Sequence, residues 1–201
     1  MKTLMRVTIL VGIWLGAHQA AVAQMPIGRD TQSAVEAVVG NKVLQARYLG
    51  ASPFTNISGN LDYGALLTEN REFIGSAALL FDTDLVPLSR LRLQVGPQLS
   101  LAWLNEGEKT DVFALSVGAS ARYEIAPRIG LAVLGSAFYS PGVLNFGNAH
   151  NMYDFTAGGE VRLAGRLFAV AGYRWLKFTL VNEPDEDVSN ELFAGIRWQL
   201  Q

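Results

Sequence analysis

Residues 90–103 read Arg-Leu-Arg-Leu-Gln-Val-Gly-Pro-Gln-Leu-Ser-Leu-Ala-Trp, and this stretch decides the fold class. One set of alternate positions is apolar and consists of Leu91, Leu93, Val95, Leu99, Leu101 and Trp103. The other set is polar and includes Arg90, Arg92, Gln94, Gln98 and Ser100. Successive side chains of a strand point to opposite faces, so the stretch predicts one apolar and one polar face. A dyad repeat of about ten residues ending in an aromatic is typical of a tilted membrane strand.

The same alternation recurs along the chain between short polar breaks. Nine segments carry it clearly, and a weaker one completes an even number, as bacterial barrels require. We predict an all-β fold, an antiparallel up-and-down transmembrane β-barrel of about ten strands, with eight as the alternative. The predicted strands are 33–39, 42–50, 56–67, 72–81, 90–103, 111–125, 129–140, 152–163, 167–180 and 191–200.

The connections between these segments alternate in character. Those at 51–55, 126–128 and 164–166 are mostly short, whereas those at 68–71, 105–109, 141–151 and 182–190 are mostly longer or more acidic. Bacterial barrels have short periplasmic turns and longer outer loops. The two groups are therefore expected at opposite ends of the barrel.

The first residues have the features of a secretory leader. Lys2 and Arg6 precede an apolar run at 7–17, and Ala21-Val22-Ala23 is a small-x-small cleavage signal. We predict a signal peptide at 1–23 that is cleaved after Ala23, an N-terminal tail at 24–32 and the barrel at 33–201. Loss of Lys2 and Arg6 takes the 16 basic residues to 14 against 18 acidic ones, a net charge of −4. This balance argues against a nucleic-acid partner. The leader and the membrane barrel together predict the bacterial outer membrane as the location.

A membrane barrel turns its apolar parity outward and its polar parity toward the lumen. The predicted lumen residues include Asp62, Asp154 and Glu191, together with Phe168, Val170 and Leu176 if Arg174 faces inward. A small barrel leaves little free space, so an internal salt-bridge plug is favoured over a solute path. The candidates for this lumen ionic network are Arg92, Arg122, Glu160, Arg162, Arg174 and Arg197. The candidates for an aromatic girdle at the membrane interfaces are Trp103, Tyr123, Tyr153, Tyr173, Trp175 and Trp198. Pro97 lacks the N–H that a paired strand donates, so it should mark a bulge or an unpaired position.

The sequence offers little for catalysis or metal binding. It has no cysteine, and after the predicted leader its single histidine is His150. No Gly-x-Ser-x-Gly elbow occurs, so a serine-histidine hydrolase is not indicated. The acidic residues between Glu183 and Asp187 lack the spacing of a calcium loop and are better explained as a solvated outer loop. We expect no enzyme activity, no cofactor and no metal site.

Several short motifs resemble the YfaZ-like family of bacterial outer-membrane proteins. They are Ser58-Gly59-Asn60, Val95-Gly96, Tyr139-Ser140-Pro141 with Leu144, and Gly172-Tyr173-Arg174. The resemblance implies an outer-membrane barrel and supplies no catalytic residues. The ending Gly195-x-x-Trp198-x-Leu200 resembles the terminal signal read by the barrel assembly machinery, displaced by one residue.

These observations predict a small outer-membrane β-barrel that is structural or forms a narrow passive pore in the bacterial envelope. Its expected partners are outer-membrane lipid and, through the C-terminal strand, the assembly machinery, and the barrel is expected to be a monomer. The alternatives are a binding module acting through its surface loops, a lipid-modifying enzyme of the outer membrane, and a secreted soluble β-sandwich.

Overall fold

The computed structural model describes residues 33–52, 58–83, 90–104, 110–147, 149–180 and 186–200. The predicted signal peptide and N-terminal tail lie outside the described residues. The strands are β1 (Ala34–Gly40), β2 (Val43–Ala51), β3 (Gly59–Thr68), β4 (Phe73–Asp82), β5 (Leu91–Leu104), β6 (Thr110–Ala126), β7 (Leu131–Ser140), β8 (Asn145–Gly147), β9 (Ala149–Ala164), β10 (Leu167–Leu180) and β11 (Glu186–Gln199). Within these ranges no helix is long and apolar enough to cross a lipid bilayer.

Ten of these strands form a closed antiparallel barrel. Each long strand pairs with its neighbour in the chain, and the ring closes where β1 pairs with β11. The short β8 pairs with the first residues of β6, beyond the segment of β6 that pairs with β7, and adds no position to the ring. The ten-strand prediction is therefore confirmed, and neither the eight-strand barrel nor the two-sheet sandwich is the fold. Closure also removes the free strand edges that a two-sheet arrangement would expose.

The connections fall at two ends, as predicted from their alternation. One end, called here the turn end, carries the start of β1, the end of β11 and the turns at 127–130 and 165–166. The other, called here the loop end, carries the turn after β1 and the connections at 69–72, 105–109, 141–148 and 181–185. Both termini of the barrel lie at the turn end because the number of strands is even.

The loop end contains more regular structure than the sequence pattern indicated. The segment 141–151 was predicted as a loop, yet it holds a 3₁₀ turn (Gly142–Leu144), β8 and the first residues of β9. The segment 182–190 was predicted as an acidic loop, but β11 begins at Glu186. There, β10 and β11 continue to pair past a bulge at Val188, which the sequence alternation does not reveal.

Pro97 lies at an interruption of the ladder between β4 and β5. Pairing stops after Ala78 with Gln98 and resumes at Phe81 with Val95 in the same register. On its other side Pro97 is paired with Val117 of β6. It therefore occupies an unpaired position on one side only, one of the two outcomes expected of a proline in a closed barrel.

Candidate functional site

The lumen near the turn end contains a continuous chain of ion pairs that crosses the closure of the barrel. Arg197 on β11 donates to Glu36 on β1, with Nε 2.8 Å from Oε2, and it also contacts Glu160. Glu36 is directly opposite Arg197 in the β1–β11 ladder, so this pair joins the first strand to the last. Both carboxylates are almost completely buried, with side-chain exposures of 4% and 1%. We call the contact between Arg197 and Glu36 the closure pair.

The chain of ion pairs extends from the closure pair in both directions around the wall. On one side Glu36 lies 3.5 Å from Arg47, which also contacts Asp62 on β3. On the other side Arg122 on β6 donates from Nε to Oε1 of Glu160 at 2.9 Å and contacts Glu124. Each buried carboxylate of this chain of ion pairs therefore has a partner of opposite sign, as burial requires.

A second polar group crosses the middle of the lumen. Arg174 on β10 makes two hydrogen bonds to Asp154 on β9, of 3.2 and 2.9 Å. Gln98 on β5 donates from Nε2 to the same carboxylate at 3.3 Å. In the ring β9 and β5 are separated by β6 and β7. The contact between Gln98 and Asp154 therefore bridges the lumen.

A third group lines the wall between β3 and β6 near the turn end. Arg92 makes hydrogen bonds of 2.8 and 3.0 Å to Asp82 and one of 3.3 Å to Asn60. Gln94 donates to Asp82 at 2.9 Å and accepts from Ser120 at 3.3 Å. Polar side chains that face the lumen are thus bonded to one another.

The loop end of the lumen is filled by an apolar cluster. Eight strands on different sides of the ring contribute to it, so it extends across the lumen. Phe178 and Met152 face each other in the β9–β10 ladder and are fully buried. The members are Val43, Leu66, Ile74, Ala102, Leu104, Val112, Ala114, Ala149, Met152, Leu176, Phe178, Leu180 and Val188.

The structure places five of the six predicted network residues in these ion pairs. Arg122, Glu160 and Arg197 belong to the chain through the closure pair, whereas Arg92 and Arg174 belong to separate groups. Arg162 is not brought together with the others: it is exposed at the turn end, with its guanidinium carbon 5.5 Å from the ring centre of Phe168. The predicted lumen residues Phe168, Val170 and Leu176 are buried, as is Arg174 on the same face of β10.

Sequence reasoning did not single out Glu36, Arg47, Glu124 or Gln98 as members of the network. Glu36 lies in the weakest predicted strand, where Val35, Ala37 and Val39 form the outward set. A single acid within a short apolar segment is the signal that could have found it. The apolar cluster was also not predicted, because its members alternate with outward residues that are equally apolar.

The outer wall is apolar, with aromatic residues toward both ends. At the loop end the rings of Tyr139 and Tyr153 lie 5.1 Å apart, and Trp175 stacks on Tyr153 at 6.1 Å. Trp103 lies 5.3 Å from Phe73 at the same end. Tyr173, also on the outer wall, donates from its hydroxyl to Asn190 at 2.6 Å. Tyr123 and Trp198 lie at the turn end and are exposed by 45% and 62%.

His150 lies at a break in the β9–β10 ladder, where pairing passes from Thr179–Asn151 to Leu180–Ala149. Its side chain is exposed, and its carbonyl accepts a hydrogen bond of 2.9 Å from Asn145. Among the described residues, no three His, Asp or Glu side chains cluster as a metal site would need. The acidic residues 183–185 lie outside the described part of the chain. Asp187, however, is in β11 and accepts from Trp175 Nε1 at 3.3 Å.

This chain is similar to two solved structures and to one protein family. A chain described as a bacterial polysaccharide outer membrane secretin is similar with a TM-score of 0.42 and 14% identity, over 82% of this chain and 58% of that one. The outer membrane channel DcaP of Acinetobacter baumannii is similar with a TM-score of 0.42 and 9% identity, over 85% of this chain and 56% of that one. This chain thus spans less than two thirds of the length of either structure. No curated protein matches the sequence.

The profile of the YfaZ precursor family matches residues 55–199, which run from before β3 to the end of β11. The match therefore covers eight of the ten strands that close the ring, all but β1 and β2, together with most of the lumen network. It includes every motif on which the sequence resemblance was based. Because it spans more than half of the 201 residues, the chain belongs to the YfaZ precursor family.

Proposed function

We propose that this protein is a structural β-barrel of the bacterial outer membrane whose lumen is filled by its own side chains. The observation that carries the proposal is the contrast between the two faces of the wall. Ion pairs and hydrogen bonds face the lumen, whereas Val117, Ile196 and Trp198 are among the exposed apolar residues outside. A soluble barrel has the opposite arrangement, because water would then meet the outer face.

The height of the apolar wall supports a membrane location. On β5 the outward residues run from Leu91 to Trp103, about 40 Å along the strand at roughly 3.3 Å per residue. A strand tilted by about 40° then spans roughly 30 Å along the barrel axis, close to the thickness of a bilayer core. The aromatic residues lie toward the two limits of this height, where membrane proteins concentrate them.

The lumen contacts favour a filled barrel over a passive pore. The apolar cluster occupies the loop end, and the contact between Gln98 and Asp154 crosses the middle. The chain through the closure pair occupies the turn end. A hydrated path would have to displace side chains from all three levels.

The remaining parts of the proposal concern export and assembly. The predicted signal peptide at 1–23 directs the chain out of the cytoplasm, and the terminal strand, through Trp198 and Leu200, is recognised by the assembly machinery. The closed ring of the described residues supports a monomer, because every long strand already has two neighbours. The short turns then face the periplasm and the longer connections face outward.

Conductance measurements test the filled lumen. The protein without its leader is purified in detergent and added to planar bilayers, with a known porin as the positive control. We expect no stepwise conductance above that of the bare bilayer. Stepwise currents of uniform size would contradict the filled lumen and support the narrow pore instead.

Gel mobility tests the barrel and its location separately. A closed barrel resists unfolding by detergent, so the unboiled protein should migrate differently from the boiled one, and it should be recovered in the outer-membrane fraction. Equal migration together with recovery in the soluble periplasm would contradict the whole proposal.

A further inference from the structure

Three connections at the turn end carry an exposed arginine just before the next strand begins. Arg90 precedes β5, Arg128 lies in the 3₁₀ turn (Pro127–Ile129) before β7, and Arg166 is the last residue of the turn before β10. Each is followed directly by leucine or isoleucine. We call these three residues the rim arginines.

The rim arginines differ from the arginines of the lumen in having no counter-ion. Within the described ranges, each of the five buried or half-buried lumen arginines contacts a carboxylate, whereas the rim arginines, like the exposed Arg162, form no ion pair. The turn-end carboxylates Asp82 and Glu124 are already bound by Arg92 and Arg122. Among the described residues, the rim arginines therefore have no carboxylate partner for their positive charge.

The backbone fixes the rim arginines close to the edge of the apolar wall. The carbonyl of Arg90 accepts from the backbone N–H of Glu124 at 2.9 Å, and that of Arg166 accepts from Gln199 at 3.0 Å. Ile129, next to Arg128, is exposed by 56%, and Trp198 lies opposite Leu167, the residue after Arg166. Cationic groups thus lie within one or two residues of the outward apolar residues.

The loop end lacks this arrangement. Its exposed cations Lys42 and Arg71 are accompanied by the exposed acids Glu69, Asp111 and Asp187. The sequence adds further acids in the connections 105–109 and 181–185, whereas the turn-end connections outside the described residues contain one acid, Asp84. An anion is therefore favoured at the turn end alone.

We propose that the rim arginines bind the phosphates of anionic phospholipid headgroups in the leaflet at the turn end, which fixes the depth and orientation of the barrel. This inference rests on the proposed membrane location. A guanidinium group donates two parallel hydrogen bonds to a phosphate. Basic residues beside an anionic leaflet also strengthen the binding of the protein to that leaflet. The adjacent apolar wall favours a lipid phosphate over a soluble one, because the acyl chains of the lipid contact that wall while its phosphate binds the arginine.

Spin-labelled lipids measure this preference directly. The protein without its leader is reconstituted in phosphatidylcholine vesicles, and its relative affinity for labelled phosphatidylglycerol and phosphatidylcholine is read from the motionally restricted spectral component. We expect roughly threefold selectivity for phosphatidylglycerol. It should fall toward one in Arg128→Gln/Arg166→Gln, which keeps only Arg90 of the rim arginines, and persist in the loop-end control Lys42→Gln/Arg71→Gln. Equal selectivity in the two double variants would overturn the proposal.

Two measurements on the unmodified protein complete the test. Selectivity should fall as salt rises from about 0.05 to about 0.5 M, since exposed charges are screened; salt-independent selectivity would overturn the proposal. Loss of selectivity on adding inorganic phosphate at constant ionic strength would assign the rim to soluble anions and also overturn it. The heat shift on a gel separates failure of this inference from failure of the proposed function. A protein that shows the heat shift but no lipid selectivity refutes binding by the rim arginines alone. A protein that shows no heat shift refutes the membrane barrel as well.

Discussion

Gly96 and Pro97 interrupt one ladder of the barrel, and each residue contributes a different property. Pro97 has no N–H to donate toward β4. Gly96 allows the β4 backbone to come close, because a Cβ placed on Gly96 would lie 1.9 Å from the carbonyl oxygen of Leu79. The Gly-Pro pair therefore lets β4 and β5 stay side by side where no hydrogen bond can form.

The substitution Gly96→Ala should destabilise the folded barrel by roughly 1–3 kcal/mol, since the new methyl group forces two backbones apart. The control is Gly135→Ala, where the added Cβ would lie 3.8 Å from the nearest atom, the carbonyl oxygen of Thr156. Urea unfolding in lipid vesicles, followed by gel mobility, measures both. Equal midpoints for the two variants would show that the close approach at Gly96 has no energetic consequence.

Arg197 is the residue on which the lumen network depends most. It contacts two buried carboxylates, Glu36 and Glu160. Arg197→Ala should cost about 3 kcal/mol or more, because removal of one partner leaves buried charge uncompensated. Arg162→Ala removes an exposed arginine of the same wall that has no ion pair among the described residues, so it should cost under about 1 kcal/mol. The same unfolding assay compares them, and similar losses would contradict the assignment of Arg197 to a buried network.

His150 is the residue on which a catalytic alternative would depend. Its ring is exposed, and the described serine nearest in the sequence is Ser140, whose hydroxyl lies 2.7 Å from the Leu115 carbonyl oxygen and 2.5 Å from Asn145 Oδ1. Both neighbours are hydrogen-bond acceptors of low basicity, and neither is a histidine that could take the proton. We therefore expect His150→Ala to leave the lipid A composition unchanged, as measured by mass spectrometry of cells that express either form. An altered lipid A profile in the variant would reopen the lipid-modifying alternative.

At the scale of the strands, the aromatic residues divide into two belts. The loop-end belt contains Trp103 and Trp175, and the turn-end belt contains Trp198. Trp175 is half-buried and donates its indole N–H to Asp187 at 3.3 Å, an amphipathic placement typical of an interface. The proposed membrane location therefore requires all three indoles to lie near the headgroups.

Depth-dependent quenching tests the belts one tryptophan at a time. Three variants, each retaining one of the three tryptophans and replacing the other two by phenylalanine, are placed in vesicles of brominated lipid. We expect stronger quenching by bromine near the ester groups than by bromine near the chain ends. The opposite order for Trp103 or Trp198 would place that strand end in the centre of the bilayer and contradict the proposed position of the barrel.

How well the sequence predicts a strand depends on where the strand lies. Along the turn-end parts of β5 and β6 the outward residues are apolar and the inward ones are mostly polar, so the alternation predicts both the strand and its facing. At the loop end this contrast disappears, because Met152, Leu176 and Phe178 face inward among outward aromatic residues. There β9 and β11 began earlier than predicted, and bulges such as that at Val188 shifted the parity.

At the scale of the molecule, the sequence could predict the inverted barrel and the presence of charges in its lumen. It could not predict their pairing, because partners such as Glu36 and Arg197 are separated by most of the chain and meet only when the ring closes. The apolar cluster has the same origin, since eight strands contribute to it. Contacts of this kind follow from strand order and register, which local periodicity does not contain.

The lumen thus contains two kinds of barrier in series, the apolar cluster at the loop end and the polar groups between that cluster and the turn end. Water crosses an apolar constriction only when the constriction is wide enough to be wetted. Paired charges exclude a solute differently, because displacing one partner leaves the other uncompensated. Barriers in series imply that removing either one alone should not open the barrel.

This yields a prediction for conductance in planar bilayers. Met152→Ala/Phe178→Ala shortens two fully buried members of the apolar cluster, and Asp154→Ala/Arg174→Ala removes both partners of the mid-lumen ion pair together. We expect neither double variant nor the combined fourfold variant to conduct, because the chain of ion pairs through the closure pair still occupies the turn end. The heat shift on a gel is the control for folding in each case, and the conclusion is drawn from variants that retain it. Conduction by the Met152→Ala/Phe178→Ala variant would place the entire barrier in the apolar cluster. Conduction by the fourfold variant but by neither double variant would show that the chain of ion pairs that joins the first strand to the last is no barrier.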